Sequence, residues 1–288
     1  MRLRPLFALA VSAAAAVWMP AWAQAVPAAS ETTAPARDVR GWLMRIHDAA
    51  RQRNFQGTFV VSSGGAVSSS RIAHFCTGGN QIERIDSLDG QPRHVFRQND
   101  VVQTVWPASR VAIVEKSQSL MAFPALLQSG DDHIADFYDL RAEGSARVAG
   151  HDANVLVVLP KDGLRYGYRL WSERTTGLLL RAEVLGEHSE VLETSAFSEV
   201  SIGVRPQPDL VLQAMKKLDG LRVLRPVLAP TSLEAEGWNL RQAVPGFRQA
   251  SCVRRSMSAG GEGEAGADAS QALQAIFSDG LTHVSVFI

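Results

Sequence analysis

The chain has 288 residues, with 29 Lys and Arg balanced by 29 Asp and Glu, so its formal net charge at neutral pH is zero. That balance argues against a general nucleic-acid binder, which carries a strong basic excess. Two cysteines far apart, with no Cys-x-x-Cys pair, suggest neither a dithiol redox motif nor a zinc site of that type.

Arg2 and Arg4 form a basic start, and Leu6 to Val17 is an apolar run too short to cross a bilayer. Ala21-Trp22-Ala23 is a small-x-small cleavage signal, so residues 1–23 read as a secretory signal peptide. The mature chain is expected to be soluble, to be exported and to start at Gln24. Residues 24–37, rich in Ala, Pro and Thr without periodicity, read as a disordered lead-in.

Asp38 is a plausible N-cap for an amphipathic helix in which Val39, Trp42, Leu43, Ile46 and Ala50 share one stripe. After Asn54 the texture changes to short alternating strands. Segments 55–61, 69–75, 81–86, 92–97, 101–106 and 110–115 are separated by Gly-, Asn- and Asp-containing turns. This antiparallel meander is long enough that its twist should curl it toward a barrel or half-barrel. The uncharged insert 119–127 carries Phe123, Leu126 and Leu127 and reads either as core or as a plug or lid over a concave sheet.

Residues 154–159 form a near-continuous apolar strand, predicted to be buried on both faces. A long hairpin follows, from Arg165 to Trp171 and from Leu178 to Leu185, in which Arg165, Gly167, Arg169 and Trp171 are expected to share one face. Segment 190–200 adds another strand. Arg205 to Pro208 breaks the pattern, and 205–230 is assigned as an interdomain linker. Residues 231–288 form a smaller unit with strand-like segments at 238–240, 246–253 and 282–288; 258–269 reads as a flexible loop, and the chain is expected to stop short of the unit's end.

The fold class is therefore mostly β, of α+β type: a large open half-barrel over 38–204 followed by a small antiparallel sheet. Catalytic signatures are lacking: there is no Gly-x-Ser-x-Gly elbow, no His-Glu-x-x-His and no phosphate-cradling glycine loop. His74 and His94 could lie on neighbouring strands, but a metal site there would need a third ligand that the sequence does not supply. The acidic pairs Glu83 with Asp86 and Asp131 with Asp132 read as solvated turn residues. No catalytic residue, cofactor or metal is expected, and the chain is not read as an enzyme. In an oxidising compartment Cys76 and Cys252 either pair or remain free thiols.

Several segments taken together resemble the MucB/RseB family: Pro160-Lys161-Asp162, Arg165 to Trp171, and Thr176 to Leu180. Gly57 to Val60, Glu83-Arg84, Leu88-Asp89-Gly90, Phe123 to Leu127, Arg147 to Gly150, and Ser278 to Leu281 with Val284 to Phe287 extend the resemblance in order along the chain. The loop near 260 matches loosely. The resemblance implies a large domain like the lipoprotein carriers of the LolA and LppX type, with helices across its concave side. It also implies a periplasmic regulator of an envelope-stress sigma factor. Such a regulator binds the periplasmic segment of a membrane-spanning anti-sigma factor, shields it from regulated proteolysis, and is released by lipopolysaccharide or a related lipid.

On that reading Phe59, Phe96, Trp106, Phe123, Leu126 and Leu127 are candidates to line an acyl-chain surface, with an ordinary core role as the alternative. Arg165, Arg169 and Arg181 meet lipid phosphates if they gather at a rim, and otherwise are solvated strand residues. Trp238, Phe247 and Phe287 are candidate partner anchors. The partners expected are the anti-sigma segment and a lipid, with no nucleic acid, and a homo-oligomer is possible. A plain periplasmic lipid or lipoprotein carrier is the competing function, and an exported hydrolase a third.

Overall fold

The structure is a computed structural model that describes residues 36–116, 134–257 and 270–288. Residues 1–35, which hold the expected signal peptide and most of the expected lead-in, the insert 117–133 with Phe123, Leu126 and Leu127, and residues 258–269 lie outside the described residues. In chain order the elements begin with α1 (Ala36–Gln52), β1 (Phe55–Ser63), β2 (Ala66–Thr77), β3 (Asn80–Ser87), β4 (His94–Gln98), β5 (Val101–Trp106) and β6 (Val111–Lys116). There follow α2 (Ile134–Phe137), β7 (Tyr138–Val148), β8 (His151–Pro160), β9 (Gly167–Glu173), β10 (Leu179–Leu185) and β11 (Val191–Ile202). The last part holds α3 (Pro208–Met215), β12 (Arg222–Leu224), β13 (Ala229–Pro230), β14 (Arg248–Met257), β15 (Ser270–Ser278) and β16 (His283–Phe287).

Twelve strands form one open sheet in the order β12-β6-β5-β4-β3-β2-β1-β11-β10-β9-β8-β7. The meander and the later hairpins are therefore two runs of neighbours joined where β1 pairs with β11. Only β12 is parallel to its neighbour, β6. The sheet curls, and the ring of His151 near the β7–β8 turn reaches the carbonyl of Val200 on β11 at 3.0 Å. In β8 Val155, Leu156, Val157 and Val158 are all buried, so that strand is covered on both faces.

Cross-strand partners share a face, so the register sorts the side chains. One face carries Phe55, Ile72 and Ile85 and receives Leu43, Ile46 and Ala49 of α1. The opposite face carries Phe75, Ile82, Phe96, Val105 and Ala112. That second apolar stripe needs its own cover. It is closed by α3, whose Val211 is buried there, while the side-chain amide of Gln103 donates to the carbonyl of Met215 at 2.9 Å. The helices thus divide between the two faces. The stretch 205–230, expected as a linker, holds α3 and β12, and both pack on the large sheet. Pro208 at the first turn of α3 suits a helix start, since its missing N–H has no helical partner to lose.

Asp38 lies inside α1 rather than capping it, because the helix starts at Ala36. A turn ties α1 to the β9–β10 hairpin: the Arg45 guanidinium donates to the carbonyls of Arg174 and Thr175. Gly177 completes that turn at φ +83°, where a Cβ would lie 2.7 Å from Arg45 Cγ.

The smaller sheet has the order β13-β14-β15-β16 and packs Leu233, Cys252, Leu273, Ala275 and Phe277 together. Residues 238–240 are not a strand. Their backbone is taken up by local turns, with the N–H of Trp238 donating to Leu233 and that of Gly237 to Glu234. The cysteines do not pair: both are free thiols, one on β2 and the other in the small-sheet core.

Candidate functional site at the domain junction

Arg165 was expected either at a lipid-facing rim or as a solvated strand residue. It lies instead in the loop between β8 and β9, with its side chain 0% exposed. Its Nε donates to Asp279 at 2.9 Å, and its two terminal nitrogens reach the Asp162 carboxylate and the carbonyl of Pro245. The guanidinium lies over the rings of Phe137 and Phe247, 4.5 and 5.1 Å from their centroids. One side chain therefore joins the large domain to both the small sheet and the loop that precedes it.

Asp279 answers from the turn between β15 and β16, also with a fully buried side chain. Besides Arg165 it accepts the phenol of Tyr138 at 2.9 Å and the backbone N–H groups of Leu281 and Thr282. Tyr138 and Tyr168 both meet the Thr282 hydroxyl, at 3.2 and 3.0 Å. Burial raises both phenols above the ordinary tyrosine range, and the Asp279 charge adds to it, so both stay neutral donors. Gly246, at φ +80°, lets the loop pass Phe137; a Cβ would lie 2.5 Å from that ring. Leu281 packs into the core of the large domain, which makes the junction apolar as well as ionic.

Both loops that meet at this node carry exposed apolar side chains among exposed polar ones such as Lys161, Arg241 and Gln242. Leu164 and Tyr166 flank Arg165, and Trp238, Leu240 and Val244 belong to the loop that supplies Pro245. Each is at least 39% exposed. Scattered exposed apolar residues are ordinary on a protein surface. Asp279 and the exposure of these side chains are what sequence reasoning missed; the resemblance at Ser278 to Leu281 was the only signal for Asp279.

The other sequence-derived candidates are dispersed. Arg169 and Arg181 do come together, but over Glu183, which both bond; Arg169 also pairs with Glu143, and Arg181 lies over Trp171. Phe59 is half-buried on the α1 face and meets Phe197 edge-on. Trp106 is half-buried on that same face, its indole N–H buried without a hydrogen-bond partner among the described residues. Phe96 points to the opposite face, under α3. Phe247 is half-buried and already engaged with Arg165, whereas Trp238 and Phe287 are exposed, at 50% and 51%. His74 and His94 do not converge: His74 bonds Glu83 on the α1 face, and His94 bonds Asp86 on the other.

His74 carries a pH-dependent contribution to stability. Burial opposes the charged ring, but hydrogen bonds to Cys76 and Glu83 outweigh it and hold its pKa at about 9, above 6.5. Stability from the charged ring is fully present below about pH 6.5 and is lost as pH rises through about 9. The urea midpoint of the wild type is expected to fall across that window more steeply than that of Glu83→Gln. Parallel curves would contradict the assignment.

A large open sheet and a small antiparallel sheet thus meet at a sealed junction held by Arg165 and Asp279. No helix among the described residues is long and apolar enough to cross a membrane. Residues 38–216 match the MucB/RseB N-terminal domain and residues 232–288 the MucB/RseB C-terminal domain, so the chain belongs to the MucB/RseB family. Sigma factor AlgU regulatory protein MucB of Pseudomonas aeruginosa is 33% identical over 226 residues, covering 77% of this chain and 67% of that protein. Sigma-E factor regulatory protein RseB of Salmonella typhimurium is 25% identical over 217 residues, covering 75% of this chain and 66% of that one. In the complex structure of Pseudomonas aeruginosa MucA/MucB, a chain 30% identical superposes with a TM-score of 0.64, over 87% of this chain and 79% of that one. This membership in a family of regulatory proteins points to a non-enzymatic role.

Proposed function

We propose that the protein is a periplasmic regulator that binds the periplasmic segment of a transmembrane anti-sigma factor. While bound it shields that segment from regulated proteolysis, and it lets go when lipopolysaccharide or a related lipid binds. The names of the relatives, and a solved complex of MucB with MucA, support the partner class. The observation that carries the reading is the exposure of Leu164 and Tyr166 on either side of Arg165, and of Trp238, Leu240 and Val244 in the loop whose Pro245 that arginine holds. Aromatic anchors at the centre of such a surface supply most of the binding energy, and here Tyr166 and Trp238 fill that role.

For the lipid, Phe59 and Trp106 are the candidates that remain on one face, and the buried indole N–H of Trp106 suits a polar lipid group. Arg169 and Arg181 lie on the opposite face of the sheet and already bond Glu183, so a phosphate meeting them would compete with that carboxylate and sit apart from the Phe59 and Trp106 face. Partner and lipid then act on one protein from two sites and weaken each other reciprocally. The test is titration of the protein with the periplasmic segment of its cognate anti-sigma factor, with and without lipopolysaccharide. Tight binding that lipopolysaccharide weakens is expected. Lipid uptake without any peptide binding would instead support a carrier.

A further inference from the structure

The α1 face holds a second constellation that the junction does not use. Cys76 and His74 lie two residues apart on β2, so both side chains project from the same face, and Glu83 is the cross-strand partner of His74 on β3. The Sγ of Cys76 lies 3.3 Å from His74 Nε2, and His74 Nδ1 lies 3.1 Å from the Glu83 carboxylate. Phe55 stacks flat on the imidazole at 5.0 Å and 12°, which fixes the ring plane. A thiol, a ring within hydrogen-bond reach and a carboxylate that orients the ring form the arrangement of an activated sulfur nucleophile.

The two cysteines differ in the features that matter for reaction. Cys76 is partly exposed, whereas Cys252 is 5% exposed among Leu233, Leu273, Ala275 and Phe277. Burial raises the Cys252 thiol, and nearby Glu236 and Glu234 add to it, so it is held as an inert neutral thiol. The charged groups that face the His74–Cys76 pair are Glu83 and, 3.8 Å behind it, Arg97. Hydrogen bonds to Cys76 and Glu83 outweigh burial and hold His74 in its charged form, so a cation lies beside the sulfur, which itself donates to the carbonyl of Arg51.

We propose that Cys76 is a nucleophilic thiol and a site of mixed-disulfide modification, with the His74 ring beside the sulfur and Glu83 positioning His74. The co-reactant is a small disulfide such as glutathione disulfide or cystine. The Cys76 thiolate attacks one sulfur of that disulfide; a new S–S bond forms, the old one breaks, and the departing thiolate takes a proton from solvent. One disulfide is consumed and one made, with no net oxidation. The adduct also removes the contact between Cys76 Sγ and the carbonyl of Arg51 in the last turn of α1.

The test uses the mature full-length protein, first with glutathione disulfide and peptide mapping, then with iodoacetamide at pH 6 and pH 8. A single adduct on Cys76 is expected, with Cys252 unmodified until the chain is unfolded in urea. At pH 6 Cys76 in the native chain should react at least about tenfold faster than in His74→Gln or Glu83→Gln. Its rate should also fall less between pH 8 and pH 6 than in the urea-unfolded chain, a profile that mere packing by His74 would not produce. If a variant does not fold, the native and unfolded wild type still give the comparison. Equal pH profiles in those two states, or adducts on Cys252 in the native chain, would overturn the proposal.

Discussion

Arg165→Ala is expected to lower the unfolding free energy by about 3–5 kcal/mol and to free the small sheet from the large domain. The size follows from what the substitution leaves behind. Asp279 would keep a side chain that is 0% exposed but lose the cation it pairs with among the described residues, and an unpaired buried charge is costly. Tyr138 and two backbone N–H groups would still donate to it, but they supply no opposing charge. The rings of Phe137 and Phe247 would also lose the guanidinium they contact. Urea unfolding should show the loss, and limited proteolysis should reveal new cleavage between β12 and β14. Removing the charge of Asp279 as well, in Arg165→Met with Asp279→Asn, should restore part of the stability. A loss below about 1 kcal/mol, the range of an exposed ion pair, would show that the junction is not held this way.

Phe55→Ala is expected to cost about 3–5 kcal/mol, the range for emptying a fully buried aromatic site. Phe55 is 0% exposed, stacks on His74 and meets Phe197 edge-on at 6.1 Å. It stands at the start of β1, the strand that joins the meander to the later hairpins by pairing with both β2 and β11. A cavity there would loosen the seam between the two runs of strands and remove the support of the His74 ring. Thermal or urea unfolding of the variant measures the effect. A change under about 1 kcal/mol would mean that the neighbours collapse into the space or that the seam is not central to stability.

Most of the strand pattern was legible in the sequence because period-two alternation and Gly, Asn and Asp turns are local signals. The helix α1 was legible for the same reason, since its stripe repeats at helical spacing. Position relative to a strand's first residue was harder. Arg165, Arg169 and Trp171 share a parity, but β9 begins only at Gly167. Arg165 therefore lies in a loop, where parity does not fix direction, and its partner is 114 residues away. Phe59, Phe96 and Trp106 look alike by type, but which face each takes depends on register accumulated across several hairpins. Tryptophan and leucine at 238 and 240 suggested a strand, but the turns at Glu236 and Gly237 claim that backbone first. The second apolar face, and with it the role of α3, could not be read locally, because an apolar stripe does not announce what covers it.

We propose that the anti-sigma segment docks on the exposed apolar residues beside Arg165 and in the loop 238–247. Hydrogen–deuterium exchange of the protein, alone and with the periplasmic segment of its cognate anti-sigma factor, tests it most directly. Slowed exchange concentrated at residues 162–166 and 238–247 is the predicted result. Binding with protection confined to other surfaces, such as the β16 edge or the α3 face, would contradict it.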